Sequence, residues 1–531
     1  MNEPKRQTIT LYVLSVLASG CGFVSQMLVS GYWATTFSND VHHFSVNLAC
    51  YFLCMGLGSL LFTRWKSPDL DLLLRLTIGL CFWTGISIAI VRHGISYYGE
   101  WALLSIGTVA VSGLIAGTII PLTLKIGEAN PKIKLSVLFF LDYTAAIFFT
   151  LTFTFVFLVP LGYGMTAVIL SAFCTLLVAG LVFWEKKATG PVLIVLFFVL
   201  LAPYPIYHGV RSSSAPRMDN RGDAKVLVNK QSHYQKIVLT EETSDSPHLA
   251  GLKKHVLYLD GFVQFSSIDE QGYHLCIANI PASAVEFMGG TIKKALVLGG
   301  GDGLAARNLM GIKSIESITN VELDPEVISL SRNSPIVRMY NLDSFRNEKV
   351  KVVAADAFRW VKESNETFDL IVIDFPAPKN IGISRLFTAE FYSDVFKLLA
   401  PNGFVSIQAG PSYSFEDPSR LLSRVPTCVK DTIRSLGFNA HIYVNARDED
   451  SFVLATKQND FDMVEFTQNI GILGREGLGM ICTYNPNWEQ YEVEINTLNT
   501  LELTNYMRVW FEQAGRPFFY YRGSHSVFLP E

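Results

Sequence analysis

Seven apolar runs before about residue 210 constrain this chain more than any other feature: Leu11–Leu28, Val46–Phe62, Leu72–Val91, Trp101–Ile126, Ser136–Pro160, Met165–Trp184 and Pro191–Ile206. Each is roughly long enough for a helix to cross a ~30 Å hydrocarbon core. Because lipid offers the backbone no hydrogen bonds, the expected fold of this part is an α-helical transmembrane bundle of about seven spans. The first run exceeds the ~7–15 apolar residues of a signal core and ends in no small-residue cleavage pattern, so it is expected to stay attached. Half of the 531 residues are hydrophobic, too many for a purely soluble chain and too long a chain for one ordinary domain.

Basic residues flank the runs alternately: Lys5 and Arg6, then Arg64, Lys66 and Arg75, then Lys125, Lys132 and Lys134, then Lys186 and Lys187, with Arg92 on the other side. The positive-inside rule puts the N-terminus in the cytoplasm. Seven spans would then carry the polar half outside, whereas Arg211, Arg217, Arg221 and Lys225 favour the inside. Either the last run, broken by Pro203 and Pro205, does not span, or the charge rule misleads here. The expected location is the cell (inner) membrane, with the polar half on the cytoplasmic side.

A Pro/Ser/Arg-rich connector, "APYPIYHGVRSSSAPRMDNRGD" (202–223), ends the apolar part. The expected domains are a membrane domain over 1–210, a linker and small β subdomain over 211–290, a Rossmann-like α/β domain over 291–460 and a C-terminal extension over 461–531. "KVLVNK", "QKIVLTE" and "HVLYLDG" read as short strands, and from Lys293 strands and helices alternate as in a doubly wound parallel sheet. A net charge of −4 with no basic run argues against nucleic acid as a partner. Cys276, Cys428 and Cys482 stand singly in the polar half, so neither a disulfide framework nor a zinc site is expected.

The segment "LVLGGGDGLAARN" (296–308) is a strand running into Gly299, Gly300, Gly301 and Gly303 and then a helix, the form of a nucleotide-binding turn. Asp302 in its middle would repel a phosphate. Glu322 ends the next strand at the place where an acid takes ribose hydroxyls. Asp356 follows a third strand and Asp374 ends a fourth. Any one of these acids is explained as a helix cap. All four together, at successive strand ends, point to a nucleoside-like, cationic guest free of phosphate, such as a sulfonium nucleoside. Asp302 would hold an ammonium and repel a carboxylate, which favours S-adenosylmethionine that has lost its carboxyl group.

These residues resemble the spermidine synthase (polyamine aminopropyltransferase) family, in its membrane-embedded branch. The resemblance rests on "SHYQKIVLT" (232–240), "LYLDGFVQFSSIDEQGYH" (257–274), the glycine segment, "VELDPEVI", "AADAF" and "IVIDFPAP…SRLFTAEFY", with "IIPLTLKI", "LDYTAA" and "LVPLGYG" in the apolar half. It implies that Gln235 contacts the thioadenosine part of the donor, with Gly299 and Gly301 in the donor-binding turn, Glu322 on the ribose, and Asp356 and Ala357 on the adenine. Asp302 and His274 would line the aminopropyl and amine region, with Tyr234 beside them unless it merely packs, and Asp374 would be the catalytic base. Decarboxylated S-adenosylmethionine is then a co-substrate, with no prosthetic group and no metal, and the partners are putrescine or a related amine, the lipid bilayer and another copy of the chain.

Departures from the family pattern fall on the amine-acceptor side. Ala377 stands where the family has a second acid, Leu275 follows Tyr273 and His274 where the family has glutamate, and "YVNARDEDSF" (443–452) replaces a tyrosine- and tryptophan-bearing motif, with Asp448, Glu449 and Asp450 as substitute acids. Two other readings compete: a methyltransferase using intact S-adenosylmethionine, against which Asp302 argues, and a polyamine sensor or transporter with a decayed synthase domain. A lone histidine is commonly structural, which is the alternative for His274. Asp142, in "FFLDYTAA", either works within the membrane or, beginning a span, snorkels or caps. Pro121 and Pro160 are expected to be kinks or span ends.

Overall fold

The computed structural model describes residues 3–37, 40–62, 69–98, 102–128, 133–185, 224–244, 251–378, 380–412, 422–445, 450–470, 482–485 and 492–513. The run Pro191–Ile206, the connector, Asp448 and Glu449 lie outside them. Two compact units emerge, one of Met1–Thr240 with Leu259–Gly261 and one of Glu241–Tyr258 with Phe262–Glu531.

Among the described residues the first unit contains six helices: α1 (Glu3–Phe37), α2 (Asp40–Phe62), α3 (Leu70–Tyr98), α4 (Ala102–Glu128), α5 (Leu135–Thr152) and α6 (Val159–Trp184). All six are long and apolar enough to cross a membrane. Helix α1 packs against each of the other five, which explains why its Leu11, Leu14 and Cys21 are fully buried. Helices α2 and α4 approach through "GLIAG", Gly113 to Gly117: a Cβ at Gly113 would stand 2.5 Å from the Tyr51 carbonyl, and one at Gly117 would stand 2.0 Å from that of Met55. Small residues four apart are what close helix contact in lipid requires. Polar side chains bond inside the bundle, Ser25 Oγ with Ser112 Oγ at 3.0 Å and Trp83 Nε1 to the Thr108 carbonyl at 3.0 Å.

Pro121 lies inside α4 without ending it. Pro160 stands in the first turn of α6, after a π-helical stretch Phe153–Leu158, and the helix breaks at Gly162, whose φ is +71°. Asp142 is neither a cap nor at a span border. It lies well inside α5 and is buried.

Strands β1 (Lys225–Gln231), β2 (Lys236–Thr243), β3 (Lys253–Leu259) and β4 (Phe262–Ser266) follow. The second unit is built on β5 (Lys294–Gly299), β6 (Ser317–Glu322), β7 (Val350–Ala354), β8 (Phe368–Asp374), β9 (Leu399–Pro411), β10 (Asn439–Asn445), β11 (Asp450–Thr456) and β12 (Cys482–Thr483), in the order β12-β10-β11-β9-β8-β5-β6-β7. The doubly wound parallel sheet expected from Lys293 onward makes up one part of it, and an antiparallel part adjoins it. Strands β9, β8, β5, β6 and β7 are parallel, whereas β11, β10 and β12 pair antiparallel. The apolar strands β5 and β8 are buried on both faces, as interior strands of a sheet covered by helices must be. Strand order reverses at β5, with β6 on one side and β8 on the other, and the crevice at such a switch point is where open α/β sheets take ligands.

Candidate active site

The glycine segment begins at the end of β5, at that switch point. Gly299 (φ +84°) and Gly300 (φ +57°) adopt left-handed backbone that lets the chain turn at the end of β5, and a Cβ on Gly299 would stand 2.3 Å from the Asp374 carbonyl of neighbouring β8. Gly303 (φ +81°) caps the helix α7 (Leu304–Met310). Behind the loop, Asn341 Nδ2 donates to the Asp302 carbonyl at 2.9 Å and Ser344 Oγ to that of Gly303 at 2.7 Å. The loop is therefore fixed before any guest arrives.

Three of the four strand-end acids gather here. A Cβ on Gly301 would lie 2.6 Å from Glu322 Oε2, and one on Gly300 would lie 3.2 Å from Asp374 Oδ2, so both carboxylates flank the loop. Asp374 Oδ1 accepts a 2.6 Å hydrogen bond from the Tyr273 hydroxyl. Asp302 Oδ1 accepts from the Leu304 amide at 3.0 Å, and Glu322 Oε1 from the Asp324 amide at 2.9 Å. Burial pushes the Asp302 carboxyl up to about 6, His274 opposing this and Asp374 reinforcing it. Burial likewise lifts Glu322 to about 7, aided by the charges of Asp324 and Asp302. Burial thus moves Asp302 and Glu322 toward their protonated forms, and a cationic guest beside them would favour ionisation.

Asp356 behaves otherwise. It caps the helix α8 (Ala357–Glu363) through the Phe358 amide at 3.0 Å, and its second oxygen meets Arg385 Nη2 at 2.8 Å. The capping reading therefore describes part of what Asp356 does, one strand beyond Glu322 and just after the end of the outermost parallel strand. Ala357 is buried in the core under that helix.

His274 is not alone. It closes the short helix Glu270–His274, where its Nδ1 meets the Glu270 carbonyl at 2.7 Å and Glu270 Oε2 at 3.1 Å. Arg307 of α7 grips Glu270 with both terminal nitrogens at 2.9 Å. Burial disfavours the imidazolium, yet the Glu270 hydrogen bond and the charges of Asp302, Asp374 and Glu270 raise His274 above its ordinary value. Burial also works against ionised Glu270, but His274 and Arg307 hold it down at about 2. Tyr273, Glu270 and Arg307 were not anticipated as site residues. The pair Glu270 and His274 had a legible signal, an acid four positions before a histidine, whereas nothing in the spacing ties Tyr273 to Asp374.

On the opposite flank, Ala377 packs half-buried against the large apolar core. Asp450 opens β11 opposite Pro411, and because β9 runs parallel to β8 this is the same sheet edge as Asp374. Tyr234 and Gln235 belong to the first unit, in the turn between β1 and β2, where both backbone amides donate to Ser232 Oγ at 3.0 Å.

The expectation of no disulfide is overturned. Cys276, two residues after His274, is bonded to Cys482 of β12, 206 positions away. A separation of that size carries no sequence pattern. Replacing Cys482 with serine is expected to cost about 2–4 kcal/mol of stability. Denaturant unfolding with and without reductant checks it, since only the parent protein should respond to the reductant.

Residues 270–432 match the family model described as the spermine/spermidine synthase domain. A polyamine aminopropyltransferase of Leptospira interrogans is 30% identical over 94% of this chain and 98% of its own length. Polyamine aminopropyltransferase 2 of Aquifex aeolicus is 30% identical over 90% and 94%. A solved spermidine synthase from Thermotoga maritima, 22% identical, covers 55% of this chain and 88% of that one with a TM-score of 0.38. With relatives aligned along nearly all of it, the helical unit included, the chain belongs to the spermidine synthase family of polyamine aminopropyltransferases.

Proposed function

We propose that the chain transfers the aminopropyl group of decarboxylated S-adenosylmethionine to putrescine or a related amine, with Asp374 as the base. The observation that carries the reading is Asp374 lying against the glycine loop while Tyr273 holds its other oxygen. An amine nitrogen attacks the methylene beside the sulfonium, the carbon–sulfur bond breaks, methylthioadenosine leaves as a neutral thioether, and the proton from nitrogen passes to Asp374. Free amines are protonated at neutral pH, with a pKa near ~10, so an acceptor must surrender a proton before it can attack. The sulfonium is already an activated leaving group, and holding nucleophile and carbon in line supplies most of the remainder.

On this reading Asp302 binds the donor's ammonium, Glu322 its ribose, Asp356 and Ala357 its adenine, and Gln235 its thioadenosine part. His274, Tyr234 and Asp374 line the acceptor. Ala377 weakens one end of the acceptor site and Asp450, on the same edge, supplies a replacement acid.

The test is mass spectrometry of products from the full-length protein given decarboxylated or intact S-adenosylmethionine with a panel of di- and triamines. Methylthioadenosine plus an aminopropylated amine, from the decarboxylated donor alone, is expected. No turnover by protein that binds the donor would overturn the reading. In the same assay Ala377→Asp is expected to lower the KM for putrescine roughly 10–100-fold, the worth of one charge-assisted contact of ~1.5–3 kcal/mol. Because Ala377 rests on apolar core, its melting temperature must be measured alongside. An unchanged KM in a folded variant contradicts the acceptor argument.

The six described helices lie in the bilayer, and β1 to β4 form a small β subdomain ahead of the catalytic sheet. An even number of spans with Lys5 and Arg6 inside leaves the catalytic unit in the cytoplasm. The Cys276–Cys482 bond favours the opposite face, since disulfides persist in oxidising compartments. Labelling of single cysteines placed at Arg64 and Ser212 from each side of the membrane separates the two, and gel filtration reports self-association.

A further inference from the structure

The helical unit encloses a cavity of about 500 Å³ between α1, α2, α4 and α5, within the ~300–1,000 Å³ range of small-molecule sites. Its wall is apolar and aromatic apart from a few polar groups, of which Asp142 is the one acid. Asp142 is 8% exposed. Its Oδ1 accepts from Ser15 Oγ at 3.3 Å and its backbone carbonyl from Ser19 Oγ at 2.9 Å. Among the described residues no lysine, arginine or histidine pairs with it. A carboxylate in such surroundings is costly and calls for a cation. Phe23, Tyr51 and Phe52 bring aromatic rings to the same wall, and aromatic rings are the apolar groups that suit a cation best.

The cavity also has a side door. Phe52, Tyr143, Ile147 and Leu151 line it and are 48%, 66%, 61% and 52% exposed, on helices whose outward faces carry other exposed apolar side chains such as Leu53, Leu60, Phe140 and Phe155. A guest entering there comes from apolar surroundings and must itself be largely apolar. A free polyamine does not fit, because one carboxylate would leave its remaining charges stranded against hydrocarbon.

We propose that this cavity binds a monocationic amphiphile, a single primary ammonium on an apolar chain, with the ammonium on Asp142 and the chain along α2 and α5. The site is separate from the transfer chemistry, and its test does not depend on that chemistry.

The experiment is equilibrium binding of radiolabelled decylamine to the full-length protein in nanodiscs, with decanol and putrescine as comparison probes. Saturable binding of one decylammonium per chain is expected, weakened at least tenfold by Asp142→Asn and by Ala146→Trp, which fills the cavity and leaves the carboxylate in place. Decanol should bind the parent and Asp142→Asn forms alike. Helical content by circular dichroism checks folding, and should Asp142→Asn fail it, Ala146→Trp carries the test. Absence of saturable decylammonium binding, equal affinity in either folded variant, or putrescine binding as tightly as decylamine would overturn the proposal.

Discussion

Replacing Asp374 with asparagine is expected to lower kcat roughly a hundred- to ten-thousand-fold, the usual worth of a positioned general base, while the donor still binds within about threefold. The substitution keeps the shape of the side chain and its contact with the Tyr273 hydroxyl, but an amide cannot accept the proton that the attacking nitrogen sheds. Raising the pH should recover part of the loss, because solvent then supplies more of the free amine. Tyr273→Phe should cost less, since it frees Asp374 to rotate without removing the base. Single-turnover measurements separate these effects from product release. If Asp374→Asn retained the parent rate across pH, the base would have to be sought elsewhere on the same edge, with Asp450 the first place to look.

Much of this site was legible because its parts are local in sequence. A glycine run after an apolar strand states its own geometry, and acids at the ends of β6 and β8 need only the strand assignment to be placed on one edge. The capping role of Asp356 was equally readable, as the alternative that any acid before a helix carries. What stayed hidden depends on pairings between distant segments. Tyr273 meets Asp374 across 101 positions and Arg307 meets Glu270 across 37. The Cys276–Cys482 bond joins two cysteines that each look solitary. Three antiparallel strands end the sheet because β10 and β11 follow one another closely enough to return without a crossover helix, a distinction that alternation alone does not make. For Asp142 the expected run began at Ser136, beside the observed start of α5 at Leu135, and what stayed hidden is the packing of the acid against Ser15 of α1, 127 positions away.

Ionisation of Asp302 alone should raise affinity for the decarboxylated donor about tenfold between pH 5 and pH 7, with its step near pH 6. A cation gains from Asp302 only when that carboxyl is ionised, and the folded protein holds it up at about 6 by burial. At pH 5 only about one chain in ten presents the anion, so the apparent dissociation constant scales with that fraction. The sign for stability is opposite. A carboxyl whose folded value is raised stabilises the unliganded fold fully below its ordinary value near 3.8 and loses that contribution as pH climbs through 6. The donor's ammonium then replaces the proton, and calorimetry in buffers of different ionisation enthalpy should register proton release on binding. Asp302→Asn is expected to weaken the decarboxylated donor roughly 10–100-fold, from loss of one charge-assisted contact, and to erase the step near pH 6. A step near pH 7 would remain from Glu322, which burial holds there. The same variant should narrow the preference over intact S-adenosylmethionine, whose carboxylate no longer faces a charge. Undiminished preference in Asp302→Asn would mean that shape, and not charge, excludes the carboxylate.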